Sequence, residues 1–185
     1  MPEEMIIRDC SPTLAGIKTG SLFTCTMTSR DELAGDIRKM NRKLVPKGLR
    51  VLLLRIRNDR ALIYVYRPSG LKKDLEDKQA RMLLEKHGYT PQKADRCVIQ
   101  LINRLKNCQE FPHEIGLFLG YPPEDVSGFI DNKACGHKCV GCWKVYGDEV
   151  LARKTFERYE KCTKVYCSLW EQGKPIERLT VAGRG

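Results

Sequence analysis

Five cysteines fall within the 33 residues from Cys135 to Cys167: Cys135, Cys139, Cys142, Cys162 and Cys167. Cys139-Val140-Gly141-Cys142 is a CxxC, a spacing that lets two thiolates reach one ion from a tight turn, which Gly141 would ease. Cys162 and Cys167 follow after nineteen intervening residues and are themselves separated by four. Four thiolates satisfy tetrahedral zinc or an iron–sulfur cluster. The expected ligands are therefore Cys139, Cys142, Cys162 and Cys167, with Cys135 or His137 available to replace one of them. Zinc there would be structural, whereas a cluster would exchange electrons with a redox partner protein. Five residues along an unbroken helix turn through ~140°, so Cys162 and Cys167 can share a metal only if the helix breaks, and Thr163 is the place for it. Two other readings use the same thiols: side chains that only pack, or a redox dithiol formed by Cys139 and Cys142.

Other reactive types are more scattered. Cys97 lies near the apolar side of its helix and reads as a small buried hydrophobe. Cys10 precedes Ser11-Pro12, which reads as a helix start, where the helix dipole would lower the thiol's pKa. His113-Glu114 invites acid–base chemistry, but neighbours on a helix point ~100° apart. A glutamate in a first helical turn is also what the macrodipole favours. The Walker, GxGxxG, GxSxG and HExxH signatures are absent, so the common nucleotide-binding and hydrolase motifs are excluded.

The second concentration is of charge. The 185 residues carry 33 Lys and Arg against 23 Asp and Glu, a net +10. From Arg30 to Lys73 there are 13 basic and four acidic residues, so this segment is +9 and the remainder +1. Arg38, Arg42, Arg55 and Arg57, with Tyr64 and Tyr66 to stack bases, would make a binding module for nucleic acid or another polyanion. The plainer reading buries the tyrosines and leaves the arginines solvated or paired.

These residues need elements to hold them. Ser29 followed by Glu32 is a capping box, and Leu33, Ile37, Met40 and Leu44 form a helical stripe that stops at Val45-Pro46. A β-hairpin is expected over residues 49–67, with Asn58-Asp59 as its turn and Leu53 opposite Tyr64. A strand is expected over 21–27, and helices over 71–75, 78–87, 92–107, 112–118, 123–130 and 148–159. The last of these would continue or restart through 164–170, and 176–182 reads as a final strand. Helices and strands mix without βαβ alternation, which predicts an α+β class with a small sheet and a cysteine-rich helical C-terminal part. A chain of this length is expected to form one compact domain, 1–185, within which 132–185 could stand as a cysteine-bearing sub-lobe. The apolar runs fall far short of the ~20 residues that span a bilayer, and from the acidic start no secretory leader is expected. A cytoplasmic protein with no membrane partner is expected.

Several blocks resemble a known family. Phe111-Pro112-His113-Glu114-Ile115-Gly116-Leu117-Phe118-Leu119-Gly120-Tyr121-Pro122-Pro123-Glu124-Asp125-Val126 is similar to a signature of domain-of-unknown-function family 3793. So are Cys139-Val140-Gly141-Cys142-Trp143-Lys144-Val145-Tyr146-Gly147-Asp148, Lys161-Cys162-Thr163, Ile176-Glu177-Arg178-Leu179-Thr180-Val181-Ala182 and Cys10-Ser11-Pro12-Thr13-Leu14-Ala15-Gly16. The resemblance covers nearly the whole chain and implies a small cytoplasmic protein of anaerobic bacteria, where oxygen-labile clusters could persist. It implies no established activity and no catalytic residues. Cys139, Cys142 and Cys162 lie inside these blocks, whereas Cys135 lies outside them.

Overall fold

The hairpin expected over residues 49–67 is present, as β2 (Arg50–Arg57) and β3 (Arg60–Tyr66). β1 (Gly20–Thr26) adds to its other side, giving an antiparallel sheet in the order β1-β3-β2. The turn residues Asn58 and Asp59 have φ of 47° and 58°, a left-handed pair that short polar side chains tolerate. One detail of the pairing differs from expectation. Leu52, not Leu53, stands opposite Tyr64, because the register shifts between Leu53 and Arg55. This bulge gives β2 one residue more than its partner, so Leu53 pairs with Ile63 and turns to the other face.

The computed structural model describes residues 3–107 and 110–183. By its internal contacts the chain forms two compact units, residues 1–70 with 161–185, and residues 71–160. The first unit is built on the sheet. Val51, Ala61, Ile63 and Val65 share a core with Ile6, Ile7, Cys10 and Leu14 of α1 (Glu3–Leu14) and with Leu33, Met40 and Leu44 of α2 (Arg30–Leu44). Ser29 caps α2 as expected, its hydroxyl accepting from the Glu32 N–H at 3.1 Å.

Two elements of this unit depart from the sequence reading. α1 begins at Glu3, not at Ser11, so Ser11 and Pro12 lie in its last turn. The Ser11 hydroxyl is spent on the Ile7 carbonyl rather than on capping. Residues 176–182, expected as a strand, begin instead with a short helix, α9 (Ile176–Leu179). Extended Pro175 precedes it, and Ile176 and Leu179, three apart, turn to one side and join the core.

The second unit is mainly helical. It contains α4 (Lys78–Lys86), α5 (Ala94–Asn107), α6 (Ile115–Phe118) and α7 (Pro123–Asp131). Asp77 caps α4 by accepting from the Gln79 and Ala80 N–H groups. A two-residue hairpin follows, β4 (Cys139–Val140) paired with β5 (Lys144–Val145). Two helices run from one unit into the other, α3 (Pro68–Leu75) and α8 (Glu149–Glu171). Residues 132–160 thus belong to the second unit and 161–185 to the first. Helices with small antiparallel sheets and a long cysteine-bearing C-terminal helix make the chain α+β. Among the described residues no helix is long and apolar enough to cross a membrane.

Candidate functional site

Cys139 lies in β4 and is 9% exposed, packed in a small cluster with Val145 and Ala152, whereas Cys142 at the hairpin turn is exposed. Cys135 is also exposed and His137 half-buried. Cys162 and Cys167 ride on α8, which runs unbroken through Thr163, so their side chains leave the helix ~140° apart. Among the described residues no group of three or more His, Cys, Asp or Glu is arranged to hold a metal ion. Gly141 has a different purpose from easing a turn: a Cβ there would collide with the Phe156 ring, so the hairpin lies against that ring only without one.

Cys10 is fully buried in α1, and burial pushes its thiol pKa up rather than down. Burial also raises Cys25, Cys97, Cys162 and Cys167. In the native protein a maleimide should label Cys135 and Cys142 first and reach Cys10 only on unfolding, which mass mapping of labelled peptides will check. Native labelling of Cys10 as fast as of Cys142 would contradict its placement.

The basic residues do not form one surface. α2 covers the core face of the sheet, and Arg38 and Arg42 project from its exposed side. Arg55 is paired with Leu62 and Arg57 with Arg60, positions that alternate with Ala61 and Ile63 and so face away from that core. Tyr64 and Tyr66 share this opposite face, but they are 0% and 2% exposed. They stack on each other, with centroids 4.6 Å apart and planes 3° from parallel, so neither offers an open face to a base.

The chemically richest constellation lies in the second unit, around Glu114. This carboxylate is 2% exposed and sits just ahead of α6. Its Oε1 accepts from the Tyr89 hydroxyl at 3.0 Å and lies 2.9 Å from Nε of Arg104. Its Oε2 is 4.0 Å from Nδ1 of His87. Arg104 also donates to the His87 carbonyl at 2.8 Å and stands 5.3 Å from the Tyr89 ring centre. Nε2 of His87 is buried with no hydrogen-bond partner. This cluster borders an open cleft of about 980 Å³ that also takes in His113 and Lys133.

Burial, and then the Glu114 charge, push the Tyr89 hydroxyl far above its ordinary pKa, so it remains a donor. A tyrosine raised in the folded state gives stability that is intact below its unfolded pKa of ~10 and lost progressively above it. Urea unfolding across pH 9–11 should therefore show stability falling with pH, and Tyr89→Phe should make that fall shallower. An unchanged slope in the variant would contradict the burial of this hydroxyl.

A second cavity, of about 270 Å³, shares His113 and Phe129 with the cleft. Its aromatic walls are Tyr121, Phe129 and Trp143. Trp143 stacks on Tyr121 at 4.7 Å and meets Phe156 edge-on at 4.6 Å. Asp125, 3% exposed, fixes this wall. Its Oδ2 accepts from Nε1 of Trp143 at 2.6 Å, and its Oδ1 from the N–H groups of Tyr146 and Gly147, both at 2.7 Å. Gly128 lets α7 approach, since a Cβ there would strike the Tyr146 ring.

Sequence signals single out His113 and Glu114 for chemistry, carry Asp125 and Trp143 only inside the family blocks, and point to none of His87, Tyr89 or Arg104. No spacing signals them: Tyr89 and Glu114 are 25 residues apart, Asp125 and Trp143 eighteen. Most of the smaller cavity's lining does come from the 111–126 and 139–148 blocks that carry the family resemblance.

No curated protein and no solved structure matches the chain. A family profile described as "Protein of unknown function (DUF3793)" matches residues 6–180. That span takes in both blocks lining the cavity and nearly all of both units, and the chain belongs to the DUF3793 family.

Proposed function

We propose that the protein binds a small, flat, largely apolar molecule in the 270 Å³ cavity of its second unit. The observation that supports this is a preformed wall: Trp143 is held at its N–H edge by Asp125, stacked on Tyr121 and met edge-on by Phe156. Ligand pockets are typically apolar and aromatic with a few placed polar groups, and drug-sized ones span about 300–1,000 Å³. A cavity slightly below that range suits one or two rings.

The chain has two tryptophans, so Trp170→Phe leaves the Trp143 indole N–H as a single NMR reporter. Titration with 2-naphthamide should shift that signal saturably. Phe129→Ala, which removes one aromatic wall, should weaken binding by about tenfold. No saturable shift, or equal binding by the Phe129 variant, would overturn the reading.

One observation favours polyanion binding as a second function. The first unit holds 18 of the Lys and Arg residues against nine Asp and Glu, hence +9, while the second holds +1. Because the arginines leave opposite sides of α2 and the sheet, one group should dominate. If the hairpin face binds single-stranded RNA, replacing Arg55, Arg57 and Arg60 with Gln flattens the salt dependence, and replacing Arg38 and Arg42 does not. No retardation of RNA or DNA at low salt would remove this reading.

Zinc or an iron–sulfur cluster on Cys139, Cys142, Cys162 and Cys167, and a redox dithiol at Cys139 and Cys142, lack comparable support, because Cys139 packs inward and Cys142 is exposed. Metal analysis of anaerobically purified protein is the test, and one zinc per chain would restore the metal reading.

A further inference from the structure

We infer that the molecule held in the smaller cavity is an aromatic acid, its ring between Trp143 and Phe129 and its carboxylate on Lys144. This rests on the binding reading above and adds the charge of the ligand.

Two formally charged side chains line the cavity, Asp125 and Lys144, and they are not equivalent. Both Asp125 oxygens are engaged, by three N–H donors at 2.6–2.7 Å, in a side chain that is 3% exposed. These three N–H groups take up most of the carboxylate's acceptor capacity, so it has little left for a guest. Lys144 is half-buried. An ammonium has three N–H donors, and one of them goes to the Ala134 carbonyl at 2.9 Å. Its nitrogen stands 5.9 Å from the centre of the Phe129 ring, beside the space a flat guest would fill.

The charged side chain with hydrogen-bonding capacity left for a guest is therefore the cation Lys144, and it adjoins an aromatic wall. An aromatic cage of this kind without a lysine would suit a quaternary ammonium. With Lys144 in place a cationic guest is repelled, and a neutral one leaves the lysine's donors to water. A carboxylate gains a charge-assisted hydrogen bond, the stronger kind, in a partly desolvated position. His113, 5.0 Å from the Phe129 ring centre, lines both cavities. The size of the cavity restricts the acid to one or two rings.

Three probes of one shape separate this inference from the broader reading: 2-naphthoate, 2-naphthamide and 2-naphthylmethylammonium, each titrated against the Trp170→Phe protein with the Trp143 indole signal as readout. The acid should bind about tenfold or more tightly than the amide, and the ammonium most weakly. Lys144→Gln should erase the preference of acid over amide, and Lys144→Arg, which keeps a cation there, should retain it. Equal affinity for acid and amide would overturn the acid assignment and leave the cavity as a binding site. Binding of none of the three would overturn the binding reading, and the acid assignment with it. Thermal unfolding of each variant, read at the same indole signal, identifies any that fails to fold.

Discussion

Asp125→Ala should destabilise the second unit by about 3–5 kcal/mol, the largest effect expected from a single substitution. The carboxylate is buried and takes three N–H groups: the Trp143 indole at 2.6 Å and the Tyr146 and Gly147 amides at 2.7 Å. Its removal orphans all three donors at once, and a buried donor without a partner costs about 1–3 kcal/mol. The losses do not simply add, because the hairpin can shift and admit water once the carboxylate is gone. Asp125→Asn keeps the shape but turns one acceptor into a donor facing a donor, so about half the loss should remain. Trp143 lies in the second unit and Trp170 in the first, so urea unfolding of single-tryptophan variants places one reporter in each. The loss should appear in the Trp143 signal. Asp125→Ala unfolding within 1 kcal/mol of the parent would contradict the clasp.

Arg67→Ala should cost the first unit about 2–4 kcal/mol, read at Trp170. Arg67 follows β3 and is 7% exposed, and burial lowers its pKa while leaving it a cation at any ordinary pH. Its Nε donates to the Thr13 carbonyl at 2.8 Å, and its Nη2 to the carbonyls of Leu14 at 2.8 Å and Val181 at 2.7 Å. Thr13 and Leu14 are the last residues of α1, where carbonyls have no partner within the helix and the dipole favours a cation. One guanidinium thus closes a helix and ties the segment after α9 to it. Lysine carries the charge but not the fork, so Arg67→Lys should recover less than half the loss. Full stability in the lysine variant would show that charge alone, not the three-way fork, holds the corner.

These two residues also show where the sequence could and could not be read. Local signals were sound where the interaction is local: the Ser29 cap, the helix it starts, and the left-handed Asn58-Asp59 turn all follow from neighbours in the chain. The bulge between Leu53 and Arg55 has no such signal, since an added residue in a run of leucines leaves the apolar pattern unbroken. Ser11-Pro12 has the composition of a helix start, but Ile6, Ile7, Cys10 and Leu14 bury one stripe, and tertiary burial overrides the cap. Arg67 counts as surface charge in any tally of the basic segment, although its partners lie 20 to 114 residues away. The candidate site was illegible for the same reason. Glu114 was noticed beside His113, but its meaning comes from Tyr89 and Arg104, which the fold brings to it. The thiols illustrate the converse: the break expected at Thr163 has only a local rationale, and α8 continues through it.

The central claim is that the second unit holds a preformed aromatic cavity able to take a flat ligand. A crystal structure of the protein grown with 2-naphthoate tests it most directly. The expected result is the naphthalene ring between Trp143 and Phe129, with Asp125 still on the Trp143 indole and a carboxylate oxygen about 2.7–2.9 Å from the Lys144 nitrogen. A cavity closed by the protein's own side chains, with naphthoate absent or bound only elsewhere, would contradict it.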